Sequence, residues 1–560
     1  MTKLYGDIYI IMRKQNFIKG SVILIASVII VKILGAMFKI PLTNLIGGTG
    51  MGYFSGAYGL FLPVYAVFVT GLSSAASKLT AQSIILNGKK GAAIIKKCSL
   101  MTFSFIGILG TAVIVFLAYP FSVHVLGNKN VYLSILIIAP SVMFGCICAA
   151  YRGYYEGLKN MYPTALSQLA EAVVKLAAGL WLCHIVIKNA DVITRYINID
   201  PTALAAAGAV AGVTASSLAG MLYMIVSDIF LSRKYMPDLR DAQKIKGANA
   251  EFIREIIITV LPIAVGALLS NLTSLADLTT IMKISDISYN KNAAYFSSKF
   301  DFIGQIGREE FAAFAYGSFN GLAVTMFNLV PSITNIFGKS ILPHMTEAWT
   351  RKDMKALSEN ASEVLKMAML VSVPAGLGMC VMSKEILTAL FPTSTDEIMF
   401  SQLSLAVLAP SVILLSASYP VFSMLQAVGR ADIPAKIMIP ALLIKLIGNI
   451  FLVSVPELNI TGAALATDIC YAFIFVFTLY KLIRLCKIRI NIKSVFFNPL
   501  FAGTMCMMAA FICRNMLTGY VSNNIRLAIS IVAGGLVYAV TLWLLGDNYL
   551  MHILRPEIKK

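Results

Sequence analysis

Lysines and carboxylates set inside apolar runs are the groups of this chain best placed to do chemistry. Lys32 and Lys39 lie in one run, Glu171 and Lys175 in a second, and Asp277 in a third with Lys283 at its end. Lys445 is central in a fourth run, and Asp468 lies in a fifth. If such runs cross a bilayer, a lysine at mid-depth costs roughly 2.5–3.5 kcal/mol. Lys32, Lys175 and Lys445 together then cost on the order of 10 kcal/mol, comparable with the stability of a whole domain. They must be paired or face a wet cavity.

Spacing bears on that choice. Lys32 and Lys39 are two helical turns apart with Gly35 between them, so both can point into one cavity. Glu171 and Lys175 stand at i,i+4 with Gln168 a turn earlier, a spacing at which acid and base can neutralise each other. Lys39 and Lys283 are near run ends, where a long stem can snorkel to the interface. Lys32 and Lys445 have no acid within a turn of their own helix. Bases outnumber acids in this set, and a wet, positive cavity suits an anion such as a phosphate or pyrophosphate head. Asp277 reads as a counter-ion to the lysines or as a cation or proton site, with Glu171 and Asp468 the other acids. Asn320, with Asn271 and Asn328, adds amide groups, which in membranes also serve as glue between helices.

Other chemistries are disfavoured. Phe337-Gly338-Lys339-Ser340 ends like a phosphate-binding loop, but Ile333 stands where the first glycine is needed. Nine cysteines follow no metal or disulfide spacing, and His124, His184, His344 and His552 are far apart, so no metal site or cofactor is expected. No nucleophile stands at a readable spacing from a base, and the chain is not expected to be an enzyme. The formal net charge is +19, but the basic residues cluster between apolar runs and are not interleaved with aromatics. That placement suits topology and anionic lipid, not nucleic acid.

The elements that must hold these residues are transmembrane helices. Hydrophobic residues make up 58% of the 560 and charged residues 13%, where soluble domains carry about 25% charged. Fourteen runs are each long enough to cross roughly 30 Å of hydrocarbon. They cover 17–42, 53–77, 100–118, 131–150, 163–187, 203–230, 256–281, 311–336, 364–382, 400–425, 434–455, 461–480, 495–516 and 526–545. The run from Phe17 is too long for a leader peptide core, so no cleavable signal is expected, and Met12 offers a second start. With the N-terminus in the cytoplasm, about 30 basic residues fall on the cytoplasmic side and about 9 opposite, which places both termini inside.

The polar connection near mid-chain divides the expected all-α fold into lobes of six helices at 17–232 and 254–484, a linker at 233–253, and two further helices at 494–546. The halves share a pattern. Gly157-Leu158-Lys159-Asn160-Met161-Tyr162-Pro163 matches Gly429-Arg430-Ala431-Asp432-Ile433-Pro434, and each proline opens a helix carrying a central lysine, Lys175 or Lys445. Both halves begin on the same side, so they form parallel repeats, and the natural site is their interface.

Three segments carry a family resemblance: Val31-Lys32-Ile33-Leu34-Gly35 with Ile40-Pro41-Leu42 and Gly47 to Tyr53; Leu275-Ala276-Asp277; and Leu425 to Arg430 with Pro434, Lys445 and Thr461-Gly462-Ala463-Ala464. Together they resemble the polysaccharide-transport branch of the multidrug/oligosaccharidyl-lipid/polysaccharide exporter superfamily, with its SpoVB- and MurJ-type lipid II flippases. The resemblance implies alternating inward- and outward-open states, export of undecaprenyl-pyrophosphate-linked saccharides in cell-wall, sporulation or polysaccharide synthesis, and a bacterial plasma membrane. The expected partners are that lipid-linked saccharide, the bilayer and a coupling Na or H ion. Lys32, Lys39, Lys175, Lys283, Asn320 and Lys445 would meet the substrate. Lys32 stands where MurJ-type proteins carry arginine, and lysine lacks the bidentate fork. The drug-exporting branch has about twelve helices, so the last two runs favour the lipid branch. A cation-coupled multidrug exporter with Asp277 as its ion site is the second reading. A membrane-embedded glycosyltransferase or scaffold is the third, with only Asp286, Asp301, Glu309 and Glu310 to serve it.

Overall fold

The computed structural model describes residues 17–189, 200–235, 248–307 and 310–546. The second start at Met12, residues 236–247 of the expected linker and Glu309 lie outside the described residues. Among the described residues the regular structure is helical, with no β-strand. That follows from the bilayer, where a lipid-exposed backbone must satisfy its own hydrogen bonds.

In chain order the long helices are α1 Phe17–Phe68, α2 Leu72–Pro120, α3 Pro140–Gly157, α4 Tyr162–Lys188, α5 Pro201–Tyr235 and α6 Ala248–Lys291. Then come α7 Leu329–Thr350, α8 Met354–Val381, α9 Thr395–Val407, α10 Ala409–Ala427, α11 Asp432–Val453, α12 Ile460–Cys486, α13 Asn498–Met516 and α14 Asn523–Leu544. Eleven helical stretches are long and apolar enough to cross a membrane, and thirteen if each of two bent pairs is one span. The expected fourteen is reduced because the first two runs share one stretch, Ala26–Ile84, of 59 residues. A straight helix of that length would run about 88 Å, far beyond one crossing. The backbone leaves helical geometry at Gly47 (φ 63°, ψ −170°) in α1 and again at Gly88 (φ 62°, ψ −154°) in α2.

The bent pairs have a local cause. Phe311–Phe327 meets α7 at 43°, and α9 meets α10 at 53°. Pro331 and Pro410 stand in the first turn of the second helix of each pair. Proline is tolerated there because that turn's N–H groups have no helical partner, yet its ring prevents a straight continuation.

The chain packs as two compact units: Met1–Ile46 with Tyr53–Leu278, and Gly47–Gly52 with Thr279–Lys560. The repeat is visible within them. In the first unit α2 packs on α3, α4 on α5, and α3 on α5; in the second, α7 and α8 pack on α10, α11 on α12, and α10 on α12. The turn before the central lysine is also shared. Lys159 (φ 60°) and Gly429 (φ 77°) are both left-handed. Asn160 N–H reaches back to Tyr155 O, and Arg430 N–H to Leu425 O, each at a helix C-terminus. Gly157 is therefore not the counterpart of Gly429; Lys159 is. The offset from Lys159 to Gly429 is 270 residues, and so is that from Lys175 to Lys445.

Within the second unit, α13 and α14 pack on each other and α13 packs on α8. Leu370, Ala502, Cys506, Tyr538 and Leu542 form a buried cluster there, and Tyr538 OH donates to Leu370 O at 3.2 Å. Gly47–Gly52 makes a tight crossing in the same unit. A Cβ on Gly52 would lie 2.1 Å from Ala313 O, and one on Gly317 would lie 1.7 Å from Gly48 O.

Candidate functional site

In the first unit α4 carries Lys175 half-buried, where its ammonium meets aromatic rings of α1. Nζ donates to Tyr58 OH at 3.2 Å and lies 5.1 Å from the Phe38 ring centroid and 5.5 Å from that of Tyr58. Cation–π contact contributes about 0.5–2 kcal/mol, more as water is withdrawn. The rings belong to a ladder along α1: Phe38–Phe54 at 6.0 Å, Phe54–Tyr58 at 4.9 Å, Tyr58–Phe61 at 5.9 Å and Phe61–Tyr65 at 5.2 Å. From Phe54 to Tyr65 the i,i+4 and i,i+3 spacing puts the rings on one helical face, and Phe38 joins them from before the break at Gly47. Lys39, half-buried, directly follows Phe38, the residue whose ring Lys175 faces, so these two bases share one region.

Lys32 is exposed. The exposed apolar residues around it on α1 include Ile29, Ile30, Ile33 and Met37. At about 100° per residue, Lys32 and Lys39 stand at the edge of that apolar face, about 60° and 80° from Ile29. Between them a Cβ on Gly35 would meet nothing within 4 Å.

Glu171 does not neutralise Lys175, its i,i+4 neighbour. Its Oε1 accepts from Arg152 Nη2 at 2.9 Å, and Cys148 Sγ lies 3.9 Å from the same atom. The carboxylate fills a notch on α5, where a Cβ on Gly220 would lie 2.1 Å from Oε1. Arg152 also donates from Nε to Ser167 at 2.9 Å. Nearby, Lys96 of α2 pairs with Asp228 of α5 at 2.6 Å, and Tyr155 OH donates to the same carboxylate at 2.8 Å. These partners lie on different helices, and no periodicity within one helix announces them.

In the second unit Lys445 is only 3% exposed, on α11. Its Nζ lies 5.8 Å from the Tyr471 ring centroid, and Tyr471 in turn stacks on Phe327 at 5.8 Å. One turn beyond Lys445, Asn449 Nδ2 donates to Thr280 at 2.8 Å. Asp468, on α12 three residues before Tyr471, accepts from Ser411 N–H at 3.1 Å and from the Ser411 hydroxyl. It therefore caps the N-terminus of α10, where the helix dipole favours an anion. Asn320 is half-buried in a π-helical turn, Phe319–Ala323, and its carbonyl accepts from Thr325 at 3.0 Å. Lys283 is exposed on α6, and Asp277 is half-buried on the same helix but in the first unit. Lys39 and Lys175 are thus brought together, whereas Asp277 and Lys283 fall on either side of the unit boundary.

Two further interactions had no counterpart in the sequence reading. Glu397 Oε1 accepts from Gly48 N–H at 2.6 Å, just past the break in α1. Glu385, 6% exposed, stands 3.8 Å from both Arg514 and Arg526 at the ends of α13 and α14. Among the described residues, no group of three or more His, Cys, Asp or Glu is placed to hold a metal ion.

Comparison with known proteins adds a lineage to this geometry. A family model described as "Polysaccharide biosynthesis protein" matches residues 17–349. Stage V sporulation protein B of Bacillus subtilis (strain 168) is 24% identical over 537 residues, covering 95% of this chain and 96% of that protein. Among solved structures, the lipid II flippase MurJ in an inward closed conformation matches with TM-score 0.66 at 14% identity, covering 96% of this chain and 100% of that one. An inward-facing multidrug resistance MATE family transporter of the MOP superfamily matches with TM-score 0.57 at 13% identity, covering 80% and 96%. At these identities the structural likenesses show a shared fold.

Proposed function

This chain belongs to the polysaccharide biosynthesis protein family, a membrane-transport lineage of the MOP superfamily, and on that premise we propose that it flips an undecaprenyl-pyrophosphate-linked saccharide. The substrate is lipid II or a related wall or polysaccharide precursor, carried from the inner to the outer leaflet of a bacterial plasma membrane. One observation carries this reading: each unit sets a lysine at the same place in its repeat, after the same turn, against an aromatic ring.

A pyrophosphate head cannot cross hydrocarbon unaided, because dehydrating unpaired ions costs tens of kcal/mol. Lys32, Lys39 and Lys175 of the first unit, and Lys283 and Lys445 of the second with Asn320, replace that hydration while the prenyl tail stays in lipid. Exposing the head to one side and then the other completes a turnover. With the cell interior negative, a dianion moving outward gains about 4–5 kcal/mol per 100 mV. Asp277 serves as counter-ion or as the site of a coupling Na or H ion. Lobes at 17–232 and 254–484, a linker at 233–253 and the pair at 494–546 complete the organisation. Counting the 59-residue stretch as two crossings parted at Gly47, and each bent pair as one, brings the spans to fourteen.

The test is reconstitution into phosphatidylglycerol–phosphatidylethanolamine vesicles with fluorescent lipid II as probe. The parent chain should move it between leaflets, faster with an inside-negative potential for outward transfer. Lys32→Ala and Lys445→Ala should each slow it by tenfold or more; normal flipping by both removes this reading. Ion-dependent drug efflux without any flipping would select the multidrug alternative.

A further inference from the structure

Glu171 raises a difficulty for Lys175 as an anion contact. An acid four residues before a lysine on one helix is a natural internal partner, and a lysine so paired has little charge left for a substrate. The structure separates them with groups from two other helices. Arg152 on α3 holds Glu171 Oε1 at 2.9 Å, and Cys148 on the same helix lies 3.9 Å from that oxygen. Gly220 on α5 leaves the notch that receives the carboxylate. Lys175 is left turned to Tyr58 OH and the ring of Phe38.

The second repeat supplies a control. At the offset of 270 residues that relates Lys175 to Lys445, Glu171 corresponds to Ala441 and Arg152 to Phe422. Ala441 is fully buried. Where the acid is missing, the arginine is missing too. Phe422 instead packs on the cluster that holds Ala441, so the acid and the arginine are absent as a pair.

We propose that Arg152 is a positioning residue that sequesters Glu171 and so keeps the Lys175 ammonium available to the anionic head of the substrate. The inference rests on the reading of Lys175 as an anion contact. Removing Arg152 lets Glu171 rotate onto Lys175 and cancel it, and removing the acid as well restores the lysine. Glu171→Gln alone keeps an acceptor for Arg152 and leaves Lys175 charged.

The test measures binding of undecaprenyl pyrophosphate to the full-length protein in detergent, with thermal unfolding of every variant. Lys175→Ala should weaken binding about tenfold, the equivalent of one charge-assisted contact. Arg152→Ala should weaken it to the same degree, Arg152→Lys and Glu171→Gln should stay within about twofold of the parent, and Arg152→Ala/Glu171→Gln should recover to that level. Arg152→Met, which keeps the volume, serves as a second deletion should the alanine variant not fold. A double variant that stays as weak as Arg152→Ala, at parental stability, overturns the proposal while leaving the Lys175 reading intact. Parental binding by Lys175→Ala overturns both.

Discussion

Two charged residues in apolar surroundings, one base and one acid, behave differently at the level of single residues, and each can be tested. Lys175 contributes a hydrogen bond to Tyr58 and two cation–π contacts, together about 1–3 kcal/mol. Its insertion into the membrane costs a similar amount. Lys175→Met should therefore shift unfolding stability by less than about 1 kcal/mol while depressing flipping of lipid II, a separation that a structural role would not produce. Asp468 is the opposite case. Because it caps α10 through Ser411, Asp468→Ala should cost about 1–2 kcal/mol in thermal unfolding. Asp468→Asn keeps the acceptor and should cost a few tenths at most. Transport surviving in the asparagine variant would mark the carboxylate as a cap; its loss at full stability would mark it as an ion site. Lys175 and Lys445 were legible as charges inside apolar runs. Their surroundings were not, since Phe38 and Tyr58 come from α1, more than a hundred residues away along the chain from Lys175. Arg152 lies just beyond the apolar run at 131–150, yet it reaches Glu171 within the packed helices.

Helices were legible in proportion to how regular they are. The run at 434–455 corresponds to α11, Asp432–Val453, and the run at 461–480 to α12, Ile460–Cys486. Breaks were harder to read, because Gly47 and the turns before Pro331 and Pro410 interrupt the backbone without interrupting hydropathy. Two predictions belong here. Gly88→Ala meets nothing within 4 Å, so it should cost only the strain of a backbone conformation (φ 62°, ψ −154°) that is essentially reserved for glycine, about 1–3 kcal/mol. Gly52→Ala or Gly317→Ala would drive a methyl into backbone and should abolish accumulation of folded protein, read by fluorescence-detected gel filtration. At the other end of the chain, Glu385 offers a comparison between buried and exposed charge. Glu385→Ala strips the carboxylate from two half-buried arginines and should destabilise by about 3 kcal/mol. Loss of the exposed Glu359 beside Lys355 should stay within about 0.5 kcal/mol. Equal melting temperatures for the two variants would show that α13 and α14 do not depend on this carboxylate.

For the molecule as a whole, the bilayer set most of what could be read in advance. A solvent that forbids unpaired backbone leaves a mainly apolar chain of this length little choice but a set of helices, and the repeat followed from matched turns. Its register did not. Gly157 and Gly429 share a letter, while the backbone pairs Lys159 with Gly429, because either residue can occupy a left-handed turn. The proposed orientation, with both termini in the cytoplasm, rests on charge alone. In a background without native cysteines, Lys355→Cys should react with an impermeant maleimide only after the membrane is opened. Tyr520→Cys should react in intact cells. The reverse pattern would invert the topology and, with it, the direction in which the membrane potential drives a dianion.

The crossing at Gly52 and Gly317 has a consequence for how such a chain could diverge. An oversized side chain in a core can be answered by a smaller one opposite, but each of these glycines faces a carbonyl of the main chain, which no codon can shrink. Under mutation and selection for export, these two positions should stay frozen in every descendant that keeps this packing. Gly88 faces open space, yet its backbone (φ 62°, ψ −154°) lies where side chains are strained, so it should stay glycine for a reason of its own.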